Sequence, residues 1–316
     1  MTRNARVLVT GINGFVGRHL ARELSSQDIE VIGFGREPDI APELQEVCST
    51  YEVCDLSDPL QVAKLSLDGV NTIINLAGLA SVAESRDKPD EYLRVNVAVH
   101  TALCDELLKR GLDPRIIAIS TSMVYSSSQP MPQTEQGELV DDDIATPYAI
   151  SKKCMEDALQ IYREKGMNIV IARPFNHIGP GQRPGFLIPD LAEQIMASDD
   201  NGGVLRVGNL NTKRDYTDVR DVVRAYTDLA LAQTLRFDTY NICSGVSLSG
   251  VEILELLKIP FCRSDLMTEI DPARIRPNDV MDIYGTPERI QTELGWRPQI
   301  PIDQTIEDFA AWRLEQ

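Results

Sequence analysis

The strand-loop-helix pattern at the N-terminus constrains the fold more than any other part of the chain. A short β-type run, Arg6-Val7-Leu8-Val9-Thr10, leads into Gly11-Ile12-Asn13-Gly14-Phe15-Val16-Gly17, and a helical pattern follows. Gly11 permits a tight turn, Gly14 lets the backbone approach a pyrophosphate, and Gly17 lets the helix pack closely on the strand. The N-terminus of such a helix favours negative charge. The stretch predicts an α/β fold with a doubly wound parallel sheet.

A glycine triplet can be an ordinary tight turn, but its place between a first strand and a first helix favours a dinucleotide cofactor. We expect the loop to hold that cofactor through Gly11, Asn13, Gly14, Phe15, Val16 and Gly17. The second strand, Glu30–Phe34, ends in Gly35-Arg36, where a site for NAD(H) usually carries an acid that binds the ribose 2′-hydroxyl. Glycine followed by arginine leaves room and charge for a 2′-phosphate. NADP(H) is therefore favoured, and NAD(H) remains possible because Glu37 could bind a ribose.

Two further strand ends are expected to complete the cofactor site. Asp55, which follows the third strand, could contact the adenine or could be an aspartate in a surface turn. The run Val70–Leu76 stops in Ala77-Gly78, and small residues there leave space for a ligand. The cofactor contacts expected from these ends are Asp55, Leu56, Leu76, Ala77 and Gly78.

The second constraint is Tyr148-Ala149-Ile150-Ser151-Lys152, because residues four apart share one face of a helix. An ammonium beside a phenol favours the phenolate, so we expect the Tyr148 pKa to fall from about 10 toward working pH. Such pairs also occur on helices where the tyrosine only edges the core. The hydroxyls of Ser120-Thr121-Ser122 favour a site, because one of them could hold a substrate oxygen during proton transfer. An ordinary cap for the next loop is the alternative.

The remaining loops supply candidates for the substrate side. Residues 126–147, which include Asp141-Asp142-Asp143, predict a loop over the site that enters the Tyr148 helix at Thr146-Pro147. The irregular stretch Arg173–Gln182 carries Asn176, which could hold a sugar hydroxyl or a phosphate, and His177, expected to be structural or to touch the substrate.

Composition limits the partners of this chain. With 31 basic and 48 acidic residues the net charge is −17, which argues against binding nucleic acid or an anionic membrane. A negatively charged substrate would need local arginines, and Arg214 and Arg276 are the candidates, although each could be a surface ion pair. The sequence shows no signal peptide and no run long enough to span a membrane. Its six cysteines and three histidines do not have the spacing of metal ligands. A cytoplasmic enzyme without a metal is expected.

Taken together, these motifs resemble the extended short-chain dehydrogenase/reductases that act on nucleotide sugars. The stretches that carry the resemblance are Thr10–Gly17, Leu76–Gly78, Asn96, Ser120–Ser122, Tyr148/Lys152, Arg173–Gly181 and Arg214–Tyr216. Three further stretches are most similar to the branch of GDP-mannose 4,6-dehydratases and GDP-4-keto-6-deoxy-mannose reductases: Arg173–Gln182, Tyr240–Gly245 and Arg276–Val280.

The resemblance implies specific roles. The catalytic residues would be Thr121, Tyr148 and Lys152. Further contacts to the cofactor would come from Asn96, Arg173, Tyr148 and Lys152. The contacts to the substrate would be Ser122, Met123, Asn176, Arg214, Arg276 and Asp279. Dehydratases of this branch carry an acid where this chain has Met123, and a thioether is neither an acid nor a base. NADPH-dependent reduction of a GDP-linked 4-keto-6-deoxyhexose is therefore the leading hypothesis. The alternatives are an epimerase or 4,6-dehydratase that recycles NAD(P) internally, and a non-catalytic nucleotide-binding regulator.

The same resemblance predicts the organisation of the chain. Residues 1–172 would form an NADP-binding Rossmann domain, completed by about 211–239 and 286–316, and residues 173–285 would form most of a smaller C-terminal substrate-binding lobe. Helices near 91–110 and 148–165 would pair with those of a second copy in a homodimer.

Overall fold

The computed structural model describes residues 5–140, 145–198, 202–275 and 279–316. The strands in these ranges are β1 Arg6–Thr10, β2 Glu30–Gly35, β3 Thr50–Val53, β4 Thr72–Asn75, β5 Arg115–Ile119, β6 Ile169–Pro174, β7 Asn176–Ile178, β8 Val204–Val207, β9 Lys213–Asp218, β10 Thr239–Ile242, β11 Ser247–Ser249, β12 Met267–Ile270 and β13 Asp282–Ile283. The helices are α1 Phe15–Ser26, α2 Pro59–Val62, α3 Val82–Asp87, α4 Pro89–Arg110, α5 Pro147–Glu164, α6 Leu187–Met196, α7 Val219–Leu231, α8 Gly250–Lys258, α9 Glu288–Leu294 and α10 Ile302–Leu314. Short 3-10 turns cover Pro42–Leu44, Ser122–Val124 and Pro272–Arg274.

The central sheet has seven strands in the order β10-β6-β5-β4-β1-β2-β3, and every neighbouring pair is parallel. The chain winds outward in one direction through β1, β2 and β3, and in the other through β4, β5, β6 and β10. The direction changes between β1 and β4, and ligands of such sheets bind at the carboxyl ends of the strands at that point. The predicted doubly wound α/β fold is confirmed.

Helices cover both faces of this sheet, which explains why its strands read as nearly continuous apolar runs. On one face α1 packs against β1 and α7 against β4 and β5, with Leu20 and Val222 inaccessible to solvent. On the other face α4 and α5 pack against β5, with Leu103 and Leu159 equally buried. The helix that carries Tyr148 is therefore fixed to the sheet along its length.

Local chemistry sets the start of α5. The side chain of Thr146 accepts a hydrogen bond of 3.2 Å from the Ala149 N–H, and Pro147 takes the first helical position, where its missing N–H costs nothing. Tyr148 thus lies in the first turn of the helix and Lys152 one turn further on.

A smaller body of structure lies beyond β6. Strands β11, β9 and β13 are hydrogen-bonded in that order, β7 pairs with β9, and β8 pairs with β12. Helices α6, α8 and α10 share one apolar cluster, which includes Leu191, Ile253 and Phe309. This body holds β7 and β9 beside the carboxyl ends of the central strands. Among the described residues, no helix has the length and apolar character that a membrane span requires.

Candidate active site

Two positions of the glycine loop between β1 and α1 disfavour side chains, Gly11 because of its backbone conformation and Gly17 because of close packing. Gly11 has a φ of +63°, and a Cβ on Gly17 would lie 2.5 Å from the Gly11 carbonyl oxygen. Helix α1 begins after Gly14 with no side-chain cap and no acidic residue in its first turn. The first N–H groups of the helix are consequently left to an anion.

The end of β4 lies directly against this loop. A Cβ on Gly11 would be 3.4 Å from the Ala77 nitrogen, and the Ala77 N–H donates a 3.0 Å hydrogen bond to Thr10 Oγ1. At Gly78, whose φ is +151°, a Cβ would be 2.8 Å from Asn96 Oδ1 and 3.7 Å from Lys152 Nζ. The structure thus brings the predicted loop, strand end and lysine together. These close approaches form a backbone cradle that fits a dinucleotide.

The predicted adenosine end of the cradle is the more exposed part. Asn13 bridges to the segment after β2, because its Nδ2 donates to the Asp39 carbonyl at 3.0 Å and its Oδ1 accepts from the Ala41 N–H at 2.8 Å. A Cβ on Gly35 would lie 3.0 Å from a Glu37 carboxylate oxygen, and Arg36 beside it is exposed. An arginine and a glutamate therefore both border the place where the cofactor's ribose is expected.

Asp55 takes part in a local turn. Its Oδ1 accepts hydrogen bonds from the Ser57 N–H at 2.9 Å and the Ser57 hydroxyl at 2.7 Å. Burial acts to raise the pKa of Asp55, but these bonds, together with Arg36 and Arg94, bring it below its ordinary value. Leu56 beside it is buried in the core. The predicted contact of Asp55 with the adenine stays a prediction.

Three catalytic candidates converge at the end of β5. Tyr148 and Thr121 are both less than 9 % exposed, and hydrogen bonding with Thr121 supports the Tyr148 phenolate. Lys152 is buried on the same side of α5, and its Nζ donates a 2.8 Å hydrogen bond to the Ile119 carbonyl. Ser122 is buried and Met123 half-buried in the 3-10 turn that follows Thr121.

The expected fall in the Tyr148 pKa is wrong for the protein alone. Burial raises that pKa to about 12, which outweighs the support from Thr121, and Tyr92 raises it further. Burial also lowers the pKa of Lys152 to about 8, against the opposite influence of Glu156. The lysine donates to a backbone carbonyl and burial dominates both groups, so Tyr148 is a neutral phenol at neutral pH.

Asn96 joins α4 to the site. Its Nδ2 donates to Ser151 Oγ at 2.9 Å and to the Leu79 carbonyl at 3.1 Å, while its Oδ1 accepts from the Leu79 N–H at 2.7 Å. Ser151 Oγ in turn donates to the Tyr148 carbonyl at 2.7 Å. The side chain of Asn96 is thus used to hold the segment after Gly78 against the first turn of α5.

Arg173, expected to contact the cofactor, is instead buried in an ion pair with Glu156 of α5. Its Nη2 lies 2.5 Å from Glu156 Oε2, and each side chain is 6 % exposed. The guanidinium also lies 4.8 Å from the centre of the Tyr125 ring. The Arg173 guanidinium is thus engaged by Glu156 and by the Tyr125 ring.

The substrate candidates lie on the smaller body. Arg214 Nη2 donates to Asp279 Oδ1 at 2.8 Å, so these two predicted contacts are paired with each other. Asn176, exposed on β7, lies beside Tyr216 of β9 in the parallel pairing of these strands. Arg276, the second predicted phosphate contact, lies outside the described residues.

The glycine loop and the substrate loop are in contact. The rings of Phe15 and His177 stack with their centres 6.1 Å apart and an angle of 7° between them. His19 Nε2 lies 2.8 Å from the Pro180 carbonyl oxygen. Burial lowers the pKa of both histidines, which favours neutral rings at this contact. His177 therefore has a packing role here.

Three buried residues around the site were not among the sequence candidates. Ser151 and Glu156 could have been found from their spacing, since they share the helix face of Tyr148 and Lys152. Asp215 could not, because its carboxylate binds residues distant in the chain. It accepts hydrogen bonds from the backbone N–H groups of Ser244, at 2.8 Å, and Gly245, at 2.9 Å.

Comparison with known proteins gives consistent matches along the whole chain. The model of the "NAD dependent epimerase/dehydratase family" matches residues 7–243. GDP-6-deoxy-D-mannose reductase from Pseudomonas aeruginosa is 33% identical over 304 residues, which cover 95% of this chain and 94% of that protein. UDP-glucose 4-epimerase from Yersinia enterocolitica is 25% identical over 333 residues, covering 97% of each.

A solved structure gives the same relationship in three dimensions. The structure of RMD from Pseudomonas aeruginosa complexed with NADPH has a TM-score of 0.80 and 28% identity to this chain. The similarity covers 99% of this chain and 100% of that one. The two chains thus share one fold over nearly their whole lengths.

Proposed function

The chain belongs to the NAD-dependent epimerase/dehydratase family, and from that premise we propose that it is a reductase of a nucleotide-linked 4-keto-6-deoxyhexose, with NADPH as the reductant. The family relationship supports an NAD(P)-dependent enzyme that acts on a nucleotide sugar. The relative with 33% identity, a GDP-6-deoxy-D-mannose reductase, supports a GDP-linked substrate.

One observation carries the direction of the reaction. Tyr148 is a buried phenol beside Thr121 and carries the proton that a carbonyl oxygen would need. Reduction of a ketone needs a proton donor at the carbonyl oxygen, whereas oxidation of an alcohol first needs a base. Met123, the residue two after Thr121, can be neither a proton donor nor a base. Its thioether supports reduction over elimination of water.

The roles of the residues follow from this geometry. When bound, NADPH would supply the hydride for C4 of the sugar. Thr121 holds the carbonyl oxygen, and Tyr148 gives the developing alkoxide its proton. The Lys152 ammonium, held by the Ile119 carbonyl, stabilises the tyrosinate that remains and binds the cofactor's ribose. Water is kept away because these side chains are buried.

The substrate's nucleotide is assigned to the smaller body. We place its diphosphate beside Arg214, which presents a planar fork of donors, and its ribose beside Asp279, a carboxylate acceptor. Asn176 would hold a sugar hydroxyl or a phosphate. These assignments treat residues 173–285 as the main source of the substrate-binding lobe.

NADP(H) is the proposed cofactor because Arg36 is exposed next to Gly35, in the place suited to a 2′-phosphate. Glu37 lies close enough to the same place to bind a ribose, which keeps NAD(H) as the second candidate.

The test mixes the protein with NADPH and freshly generated GDP-4-keto-6-deoxy-mannose and follows the nicotinamide absorbance, with NADH in parallel. Stoichiometric loss of NADPH is expected. If the sugar changes while no NADPH is consumed and cofactor is found already bound, the internal hydride cycle of an epimerase or dehydratase is the correct function. The 25% identical UDP-glucose 4-epimerase makes this the second candidate.

A homodimer in the cytoplasm is part of the same proposal. The outer face of α5 carries a stripe of partly exposed small and apolar residues at helical spacing: Ile150, Cys154, Ala158 and Ile161. Leu108 of the neighbouring α4 is also 38% exposed. Such a face is suited to packing against the same face of a second copy.

A further inference from the structure

Glu156 is a buried carboxylate whose hydrogen bonds all go to residues of the site's framework. It lies one helical turn after Lys152 and is 6% exposed. Its Oε1 accepts from the Ser120 hydroxyl and, at 3.0 Å, from Arg173 Nε, and its Oε2 accepts from Arg173 Nη2 at 2.5 Å. The carboxylate is therefore held on both oxygens.

These partners come from the elements that carry the reacting groups. Ser120 immediately precedes Thr121 at the end of β5. Arg173 lies at the end of β6, and Asn176 follows on β7. Glu156 itself shares α5 with Tyr148. A displacement of this one carboxylate would change the relative positions of proton donor, carbonyl-binding hydroxyl and substrate loop.

Glu156 also determines the charge that surrounds Lys152. The groups that act on the lysine are Glu156 from α5, the Ile119 carbonyl from β5 and His100 from α4, and Arg173 of β6 is bound to Glu156. His100 is fully buried, with its Nδ1 3.1 Å from the Asn96 carbonyl oxygen, and burial lowers its pKa to about 3. It is therefore uncharged. Glu156 is the anion among these neighbours.

Stability is a weak reason for such a pair. The cost of removing two charges from water is often as large as their attraction, so a buried ion pair seldom stabilises a fold more than apolar residues would. A pair that is fully buried and adjacent to a catalytic lysine calls for a role in the reaction.

We propose that Glu156, oriented by Arg173 and Ser120, is a positioning residue that keeps a fixed negative charge one helical turn from the Lys152 ammonium. The proposal rests on the reductase function and adds to it a group that does not touch the substrate. Glu156 keeps the lysine charged at the pH at which Tyr148 must donate. Arg173 bonds to both oxygens of the carboxylate, so the negative charge stays in one position.

The test compares Glu156→Gln with the wild type across pH. The amide keeps the shape but loses the charge, so kcat/KM for the keto sugar should begin to fall at a pH lower by about one unit. The double variant Glu156→Gln/Arg173→Met removes both charges and leaves no unpaired buried cation, so it should fold if the single variant does not. Its shift should have the same direction and be smaller, because the cation is removed together with the anion. Glu156→Asp retains the charge and should keep the wild-type pH dependence with a lower kcat.

The matched control is Glu106→Gln on α4. Glu106 also pairs with an arginine one turn away, since Arg110 Nε lies 2.7 Å from its Oε1, and its side chain is 10% exposed. This variant should change neither kcat/KM nor its pH dependence. A reduced kcat with an unshifted pH dependence in the Glu156→Gln variants would assign Glu156 a structural role and overturn the proposal.

A second measurement separates this proposal from the proposed function. NADPH affinity as a function of pH reports Lys152 without any sugar present, and the affinity should be lost at lower pH in both charge-removing variants. If the wild type binds NADPH but does not reduce the keto sugar, the reductase assignment fails while the affinity profiles still decide the role of Glu156.

Discussion

At the residue scale, burial acts in opposite directions on the two central groups of the site. It raises the pKa of Tyr148 to about 12 and lowers that of Lys152 to about 8. Both shifts disfavour the charged form, as desolvation always does. The phenol therefore keeps its proton at neutral pH, while the lysine is close to losing its own. Burial keeps the phenol neutral before the reaction, whereas Glu156 favours the charged form of the lysine.

Replacement of Tyr148 by phenylalanine should abolish turnover and spare the cofactor site. Loss of a positioned proton donor typically costs about 10²–10⁴-fold in rate, so kcat should fall within that range. NADPH affinity, measured by fluorescence titration, should stay within about threefold, because the cradle is mainly backbone.

Tyr162→Phe is the control for this experiment. Tyr162 is buried on the same helix and donates to Asp105 at 2.7 Å, away from the cradle. Its loss should leave turnover unchanged. Undiminished turnover in Tyr148→Phe would remove Tyr148 from the catalytic assignment.

Replacement of Arg36 by alanine tests the cofactor preference. A charge-assisted hydrogen bond is worth about 1.5–3 kcal/mol, so the Kd for NADPH should rise by at least roughly tenfold. The Kd for NADH should be unchanged, since NADH has no 2′-phosphate. Arg206→Ala is the control, because Arg206 on β8 is also an exposed arginine. Equal weakening of both cofactors by Arg36→Ala would refute a 2′-phosphate contact.

At the element scale, features with a local chemical cause could be predicted from the sequence. The glycine loop and the start of α5 were predictable because Gly11, Gly17 and Thr146 act through neighbouring backbone. The contact between Arg173 and Glu156 could not be predicted, because it depends on how β6 and α5 lie on the sheet. The Tyr148 pKa was predicted in the wrong direction for a similar reason: spacing reveals a neighbouring charge but not the depth of burial.

The outer face of α5 gives the prediction at this scale. Ile161 is 56% exposed, and in a homodimer built on α4 and α5 it would be covered by the partner copy. Ile161→Lys should therefore convert the dimer to a monomer in sedimentation equilibrium. Leu60→Lys, at a position 76% exposed on α2, should leave the mass unchanged. A wild-type protein of monomeric mass would reject the dimer.

At the scale of the whole molecule, the architecture of the central sheet was predictable from the sequence. For the smaller body only an outline could be predicted. Alternating strands and helices leave few arrangements for a parallel sheet. The smaller body depends on contacts such as Asp215 with Ser244, which no local pattern marks. No local pattern marks the pairing of Arg214 with Asp279 either. Residue types there indicated a ligand's charge but not which side chains pair with each other.

The buried lysine should be visible in the stability of the molecule as a function of pH. Its pKa is about 8 when folded and 10.5 ordinarily, so above pH 8 the unfolded chain holds a proton that the native protein lacks. The free energy of unfolding should therefore rise with pH in this window. Relative to Lys152→Met, the wild type should gain on the order of 1–2 kcal/mol between about pH 7.5 and pH 9.5 in urea unfolding. A constant difference between the two proteins would show that the native lysine keeps its ordinary pKa.

The last strand of the central sheet, β10, follows both β7 and β9 in the chain. During synthesis, β6 has no partner on its outer edge until residue 242 has left the ribosome. The loop that contains Gln133 and Glu135 also depends on β10. The Asn241 side chain donates to the Gln133 carbonyl at 3.1 Å, and the Asn241 backbone N–H donates to the Glu135 carboxylate at 2.9 Å. An N-terminal fragment that ends before residue 242 therefore cannot hold all seven strands of the central sheet.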